Sequence, residues 1–593
     1  MKWVPLFLLV LIPCCLLAQV SGPDLTVYIS GRVLDKATGR PIAYANVSNI
    51  SLKEGTISND DGFFKLRIKS AQDSVMVSFI GYHNYHIPLQ EGNLHYNVLL
   101  RENEQLLDEV VVKPEASDYL ADLIEQLRKE KNKYRASSKV YYNLKTSFEE
   151  KQTELVEGFY NGKIAGYDLT GLTLKNSRIA AQSLDGLSFQ STDATRAILA
   201  LQLFEKDGSA PIQPLQLSRR RLRKAYYLYL DKKFKNEQSD SVYVISCIPK
   251  DTSGAYFKAK IFLNVSRNLL EKIDFKCNHA KAYPFRPFAC DSFLNVNLDI
   301  TKSFTDINRH QVFNYLNFSY QITYKQLKSR LNTIFLDSVL KVSTKAVLYC
   351  YNYDDTFLTP RFDFTETKWN DYVQISAFPY NSYFWEHNHE LKTNEARKEN
   401  DSFFYSDKTL GIEKRQPKDH QVECHYELWN ADKRAIYRLR PDEKKALAAS
   451  PAPLSRQYHL CVQLFLDINR YKDSTQVVTA TVFDPIKSYY FLSLDTPAYC
   501  FMNIYFDLVE IERRKLEKKI NRSDRSIATI QTLYDESKSH IQELDKKYFP
   551  EVQHGTMEKG MKKWNDIIYQ NLGIDNLKIF HLFQKEENKV SSF

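Results

Sequence analysis

The stretch Gly55-Thr56-Ile57-Ser58-Asn59-Asp60-Asp61-Gly62-Phe63-Phe64-Lys65-Leu66 joins two short runs of strand-forming residues through a turn. Threonine, isoleucine and phenylalanine favour strands, whereas Asn-Asp-Asp-Gly is a typical turn sequence. Gly62 stands where a tight turn requires a positive φ angle, which glycine adopts without steric cost. The stretch therefore predicts a strand, a tight turn and a second strand.

The same pattern continues on both sides of this stretch. Gly31-Arg32-Val33-Leu34-Asp35 precedes the turn Thr38-Gly39-Arg40-Pro41, and Val75-Met76-Val77-Ser78-Phe79-Ile80-Gly81-Tyr82 is a further β run. Short strands at such spacing predict an all-β sandwich over residues 25–112. These residues closely resemble the carboxypeptidase regulatory-like family, whose fold is a transthyretin-like sandwich. The run Leu107-Asp108-Glu109-Val110-Val111-Val112 is similar to the variant that precedes the plug of TonB-dependent nutrient receptors.

The first 18 residues have the parts of a secretory signal peptide. Lys2 is followed by an apolar run over residues 3–17, and the small residue Ala18 ends it. The run is shorter than the roughly 20 residues that a membrane-spanning helix needs. We predict cleavage after Ala18 and export, to the periplasm or to the outer membrane. A lipid anchor on Cys14 or Cys15 is the alternative.

Composition limits the classes of protein to which the chain can belong. The length of 593 residues suits several domains, and the 43% hydrophobic content is enough for packed cores. The formal charge of +9 is small for this length and does not indicate a nucleic-acid partner. No long uncharged apolar stretch follows the signal peptide, so we expect no transmembrane helix in the mature chain.

After the sandwich, the sequence predicts a linking helix, an antiparallel β domain, a mixed β domain rich in aromatic residues, and a helical C-terminal region. Their predicted bounds are, in this order, residues 113–136, 137–353, 354–505 and 506–593. The fold class is thus a multidomain, mainly β chain with an N-terminal transthyretin-like sandwich. Within the antiparallel β domain, residues 243–275 resemble the half-barrels of lipoprotein carriers and sorting factors.

Two helical patterns support these bounds. In the linking helix, Leu120, Leu123, Ile124 and Leu127 recur at helical spacing. In the C-terminal region, residues step by four and three in alternation, and nine of twelve such positions are apolar. The positions are Val509, Arg513, Leu516, Ile520, Ser523, Ile527, Ile530, Tyr534, Ser537, Ile541, Leu544 and Tyr548. This seam predicts buried helices, either as a hairpin that breaks at residues 521–524 or through self-association with a second chain.

One dense basic run stands out, Arg219-Arg220-Arg221-Leu222-Arg223-Lys224. A solvated surface segment is the ordinary interpretation of such a run. Contact with anionic lipid or polysaccharide is the alternative, because clustered Lys and Arg attract such surfaces.

The seven cysteines after the signal peptide are scattered, and none belongs to a Cys-x-x-Cys pair. Their spacing indicates neither a disulfide framework nor a zinc ribbon. We expect most of them to be buried small apolar side chains, with room for one bridge such as Cys277 to Cys290.

Candidate metal ligands occur together in His387-Asn388-His389-Glu390. This segment contains the His-x-x-Glu that begins the site of zinc carboxypeptidases, with His387 and Glu390 as its ends. The next histidines, His420, His425 and His459, lie too near to provide the distant third ligand. His387 and His389 are expected to share one face of a strand, as an ordinary satisfied pair. We therefore predict no metal site and no cofactor.

Catalytic motifs are missing from the sequence, which has no Gly-x-Ser-x-Gly, no His-Glu-x-x-His and no Walker loop. We predict no catalytic residues. Asp354 and Asp355 lie beside aromatic residues, as the carboxylates of a glycosidase do. Five aromatic residues suit either sugar stacking or an aromatic core, and we favour the core. They are Tyr372, Tyr380, Tyr383, Phe384 and Trp385.

These observations favour a non-enzymatic cell-envelope protein that binds a protein, lipid or glycan partner through its β domains. A periplasmic hydrolase, either a peptidase or a glycosidase, is one alternative. A TonB-dependent receptor-like outer-membrane protein is another. Two observations argue against the receptor-like alternative. Residues 583–592 lack the alternating apolar strand with which a barrel closes, and no plug-like segment follows Val112.

Overall fold

The structure is a computed structural model, and it describes most of the chain between residues 27 and 583. Outside the described residues lie 1–26, 53, 60, 104–115, 131, 183–190, 192–193, 207, 237, 286–290, 327–338, 364–370, 372–373, 376–380, 389–409, 412–426, 432–456, 472–473, 486 and 584–593. The predicted signal peptide falls in this set, as does Cys290 with the predicted bridge to Cys277. The chain divides into two compact units, Met1–Ser78 with Asn84–Leu100, and Phe79–His83 with Arg101–Phe593.

The first unit is a β-sandwich of two sheets, in the strand orders β4-β1-β7 and β3-β2-β5-β6. Strands β1 to β7 span, in chain order, Val27–Asp35, Asn46–Asn49, Glu54–Ile57, Phe63–Ile68, Val75–Ser78, Tyr85–Ile87 and His95–Leu100. The strand, turn and strand predicted around Gly62 are confirmed, with a φ of 73° at that glycine. The turn leads from one sheet to the other, so Val47 and Phe64 are both fully buried between the sheets.

The second unit begins with a large antiparallel sheet. Strands β8 to β18 span, in chain order, Arg135–Phe148, Lys151–Ala165, Asp168–Ala181, Tyr226–Lys235, Ser241–Pro249, Lys258–Asn264, Leu269–Cys277, Asp291–Ile307, His310–Gln326, Val339–Tyr351 and Leu410–Gly411. These eleven strands have the order β11-β12-β13-β14-β15-β16-β17-β8-β9-β10-β18. The pairing of β17 with β8 therefore joins the last long strand of this sheet to the first.

Hydrogen bonds between distant strands show that this sheet is strongly curled. Phe313 N in β16 donates to Gly166 O in the β9–β10 turn at 2.9 Å. Leu270 N in β14 donates to the hydroxyl of Tyr167 in the same turn at 3.2 Å. In the sheet order, four strands separate β14 from β9. Since neighbouring strands lie roughly 4.8 Å apart, only a curled sheet brings these residues together.

Three short helices pack on the inner face of the curl: α1 (Ala116–Lys129), α2 (Ala194–Ala200) and α3 (Arg219–Ala225). Within the predicted linking helix, residues 113–136, the structure is helical over Ala116–Lys129, and Arg135 already belongs to β8. Its predicted core residues Leu120, Ile124 and Leu127 are almost completely buried, in one apolar cluster with the inward-facing strand residues.

The remainder of the second unit combines short strands with long helices. Its elements are α4 (Ser382–His387), β19 (Glu427–Leu428), β20 (Tyr458–His459), β21 (Val462–Tyr471), β22 (Ser474–Phe483), β23 (Tyr489–Tyr490), α5 (Thr496–Arg522), α6 (Ile527–Val552), α7 (Glu558–Leu572) and α8 (Asn576–Ile579). Helices α5 and α6 pack on each other and on the β21–β22 hairpin. In the described part of the chain, no helix is both long and apolar enough to span a membrane.

The predicted seam is buried within one chain. Helix α5 ends at Arg522 and α6 begins at Ile527, which confirms the predicted break and the helical hairpin. Leu516 and Ile520 on α5 lie in the same apolar cluster as Ile530 and Tyr548 on α6. Self-association through this seam stays a prediction. The predicted fold class, mainly β with an N-terminal sandwich and a helical C-terminal region, is confirmed.

Candidate functional site

The segment of the candidate metal ligands is helical where it is described. Asn381 caps α4 by accepting a hydrogen bond from Phe384 N at 3.1 Å, and His387 is the last residue of that helix. The prediction of a strand at His387 is therefore wrong, because the cap starts a helix. His389 and Glu390 lie outside the described residues.

His387 has ordinary partners in the fold. Its Nδ1 lies 2.8 Å from Tyr383 O, and its ring centroid lies 4.0 Å from that of Tyr383 and 4.5 Å from that of Tyr471. Across the described ranges, no three His, Cys, Asp or Glu residues are grouped closely enough to hold a metal ion. The absence of a metal site involving His389 and Glu390 stays a prediction.

The aromatic segment next to this histidine contributes to a core. Phe384 and Trp385 are buried and pack edge-on against Phe159 of β9, with ring centroids 5.2 and 5.5 Å from it. This agrees with the aromatic-core interpretation, although Tyr372 and Tyr380 lie outside the described residues. Asp355 forms an ion pair with Lys139 at 2.5 Å.

Burial makes two of the described cysteine thiols, those of Cys277 and Cys350, poor nucleophiles. Burial raises the pKa of the Cys277 thiol to about 11 and that of the Cys350 thiol to about 12. Such thiols stay protonated at neutral pH, whereas the thiolate is the reactive form. Cys247, Cys277, Cys350 and Cys500 are buried, as expected for small apolar side chains.

A cavity of about 170 Å³ lies on the inner side of the curled sheet. The sheet contributes Phe275 of β14 and Ile300 of β15 to its wall, and the loop before β13 contributes Phe257. The opposite wall is formed by the connection between α2 and α3, from which Leu201 and Ile212 line the space. The wall is therefore mainly hydrocarbon, with polar side chains at a few places.

Hydrogen bonds fix the connection that forms this wall. Ile212 N donates to Ala255 O, and Phe257 N donates to Ile212 O, both at 2.9 Å. The side-chain amide of Gln213 donates to Gln202 O at 2.7 Å, which fixes the first turn of the connection. Because both sides of the connection are bonded to the protein, the cavity is preformed.

A buried ion pair crosses the curl at the cavity. Lys302 of β15, whose side chain is only 3% exposed, places its Nζ 3.0 Å from Asp168 Oδ1 of β10 and also bonds to Leu201 O. Asp168 in turn accepts a hydrogen bond from Leu203 N at 3.1 Å. The lysine charge is thus neutralised within the protein, so a bound ligand does not need to carry a counter-charge.

Sequence reasoning missed this pair, although one signal was present. Lys302 follows Leu298 and Ile300 at alternate positions and precedes Phe304, so it occupies an inward-facing position of an otherwise apolar strand face. A lysine at such a position needs a buried partner. Asp168 is 134 positions away along the chain, and nothing in its local sequence identifies it as that partner.

The sandwich matches a known family. A family model described as the CarboxypepD_reg-like domain matches residues 29–112. The sandwich is a CarboxypepD_reg-like domain. The TonB-dependent receptor SusC of Bacteroides thetaiotaomicron is 40% identical to this chain over 86 residues, which are 14% of this chain and 8% of the receptor. The likeness to the receptor therefore concerns the CarboxypepD_reg-like domain and a small part of the receptor.

Solved structures similar to the chain include two with names related to lipoprotein sorting. A LolA superfamily protein of Nitrosomonas europaea is 14% identical, with 40% of this chain and 94% of that chain covered and a TM-score of 0.17. A putative outer membrane lipoprotein-sorting protein domain of Vibrio parahaemolyticus is 11% identical, with 42% and 95% covered and a TM-score of 0.18. Similarity at this level indicates nothing about the function of this chain.

Proposed function

We propose that this protein is a non-enzymatic binding protein of the cell envelope, and that its cavity accommodates a short segment of a lipid hydrocarbon chain inside the curled sheet. The observation that carries the proposal is the preformed cavity of about 170 Å³ with Phe257, Phe275 and Ile300 in its wall. Burial of apolar ligand surface in such a space contributes roughly 25 cal/mol per Å². The signal-peptide pattern and the SusC-like sandwich support the envelope assignment.

The polar groups at the cavity favour a lipid chain over a glycan or a peptide. Lys302 and the side-chain NH2 group of Gln213 already form hydrogen bonds within the protein, and the side-chain NH2 group of Gln216 donates to Glu205 O. A sugar hydroxyl or a peptide group that enters this space would lose its bonds to water, at a cost of about 1–3 kcal/mol for each unsatisfied group. A methylene chain has no such bonds to lose.

Fluorescence binding tests the proposal. The mature protein is titrated with dansyl-undecanoate, and we expect the dansyl emission to shift to shorter wavelength and palmitate to displace the probe. In the Ala210→Trp variant, the indole fills space at the cavity wall, and we expect affinity for the probe to fall at least tenfold.

The matched control is Ala528→Trp, which adds the same indole to an exposed position of α6. This variant should bind the probe as the unmodified protein does. The proposal is wrong if the unmodified protein does not bind the probe, or if Ala210→Trp and Ala528→Trp bind it with equal affinity.

A further inference from the structure

The basic run of the sequence forms the short helix α3. Leu222 is fully buried and anchors the helix on the inner face of the sheet. With about 100° between successive residues, Arg220 and Lys224 lie on the side of the helix opposite Leu222, and Arg221 lies beside them. All three basic residues are exposed.

Helix α1 neutralises only part of this basic run. Asp118 of α1 forms an ion pair with Arg223 at 2.8 Å, and Asp122 forms another with Arg219. None of the described acidic residues forms an ion pair with the other three members of the run. These are Arg220, Arg221 and Lys224. A concentrated positive charge is therefore left at the outer side of α3.

Exposed apolar side chains adjoin this charge. Lys250 links the two, because its Nζ donates to Arg223 O at 2.8 Å and lies 4.9 Å from the ring centre of Tyr227. Tyr227 is 53% exposed and pairs across the strands with Ile248, which is 36% exposed. Two strand positions further along β11, Tyr229 is 39% exposed. The cationic surface of α3 and the exposed side chains on the outer face of β11 and β12 therefore meet at Lys250.

We infer that this surface, the α3 face, docks on a membrane that contains anionic lipid. The α3 face consists of Arg220, Arg221, Lys224, Tyr227, Tyr229, Ile248 and Lys250. Its cations attract anionic headgroups, and its tyrosines suit the interface between headgroups and hydrocarbon. An acidic polysaccharide would also attract the cations, but it would gain nothing from the exposed side chain of Ile248. The mixture of charge and apolar surface therefore favours a lipid surface.

The position of the α3 face relates it to the cavity. Gln216 lines the cavity and lies three residues before Arg219, so the cavity wall leads directly into α3. Docking through α3 would hold this wall of the cavity at the lipid surface. The inference rests on the charges and exposed side chains of the α3 face, and it stands whether or not the cavity binds a lipid chain.

Co-sedimentation with vesicles tests the inference. We expect the mature protein to sediment with vesicles of phosphatidylcholine and phosphatidylglycerol, less with vesicles of phosphatidylcholine alone, and less at high salt. The triple variant Arg220→Gln, Arg221→Gln, Lys224→Gln should bind the anionic vesicles roughly 100-fold more weakly, because each basic residue near an anionic surface contributes about fivefold.

A triple variant with the same loss of charge is the control, namely Lys538→Gln, Lys546→Gln and Lys559→Gln. These lysines are exposed on α6 and α7. We expect this control to bind anionic vesicles within about twofold of the unmodified protein. Equal losses in the two triple variants would show an effect of net charge alone and would overturn the inference.

A variant in the apolar part of the α3 face distinguishes a membrane from a polysaccharide as the partner. The Tyr227→Ser, Ile248→Ser variant should weaken binding to anionic vesicles several-fold without any change in charge. Unchanged vesicle binding in this variant would overturn the inference. The inference is also wrong if the unmodified protein binds a soluble acidic polysaccharide but not the vesicles.

Discussion

The curled sheet and the C-terminal helices bury comparable apolar clusters, but the contacts that hold them together differ in kind. In the sheet, Lys302 pairs with Asp168 across 134 positions of sequence. In the helices, Ile520 and Ile530 belong to one seam and lie on either side of a short connection. The comparison shows that the helical seam joins residues that are near each other in sequence, whereas the ion pair of the sheet joins residues that are far apart in sequence.

The largest effect is expected in the helical seam. Ile530 and Ile541 are 0% and 8% exposed, and each buried aliphatic side chain contributes about 1.5–3 kcal/mol to the free energy of unfolding. The Ile530→Asp, Ile541→Asp variant should therefore lower that free energy by about 3–6 kcal/mol. Urea unfolding followed by circular dichroism at 222 nm measures the change. Its control, Ala528→Asp with Ser539→Asp, places the same charges at exposed positions of α6 and should change stability by less than about 1 kcal/mol.

An unchanged unfolding midpoint in the Ile530→Asp, Ile541→Asp variant would show that the seam is not a stabilising core. Size-exclusion chromatography of the same variant addresses self-association. If the seam packs only within one chain, the folded fraction should elute at the volume of the unmodified protein. If the unmodified protein elutes earlier than this variant, the seam also joins two chains.

A smaller effect is expected from the ion pair that crosses the sheet. In the Lys302→Met variant, Asp168 keeps its bond from Leu203 N but loses its cation, and we expect a loss of about 3 kcal/mol in the free energy of unfolding. The Lys302→Met, Asp168→Asn variant removes both charges and should recover more than half of that loss. If both variants lose the same free energy of unfolding, the ion pair does not stabilise the curled sheet.

The smallest effect concerns the β9–β10 turn. Gly166 has a φ of 57°, and a Cβ added there would lie 2.3 Å from Asn132 O. Gly166→Ala should therefore lower the free energy of unfolding by about 1–3 kcal/mol. Gly171 on β10 is the control, because a Cβ there would be 3.6 Å or more from its neighbours. A loss in Gly171→Ala as large as in Gly166→Ala would show that the turn has no special role.

Sequence patterns predicted the elements that depend on local periodicity. The spacing of Leu120, Ile124 and Leu127 predicts α1, and all three residues are buried in the structure. Such patterns report which face of an element is buried, and they do not report which distant element covers it.

The sequence could not predict the candidate site for the same reason. The cavity exists because the β9–β10 turn returns to β14 and β16, and because the connection between α2 and α3 covers the inner face of the sheet. Its polar contacts join residues that belong to different parts of the chain. At His387 the local sequence predicts a strand, but Asn381 caps a helix that ends at this residue.

The pairing of β8 with β17 has a consequence for the order of events during synthesis. Phe148 of β8 lies opposite Val342 of β17. One edge of β8 therefore has no partner strand until nearly two hundred further residues have been synthesised. Until then β8 can pair only with β9, and one edge of the three-stranded piece β8-β9-β10 lacks its final partner. Completion of the sheet is thus a late event with a high loop-closure cost, and we expect it to be the slow step of folding.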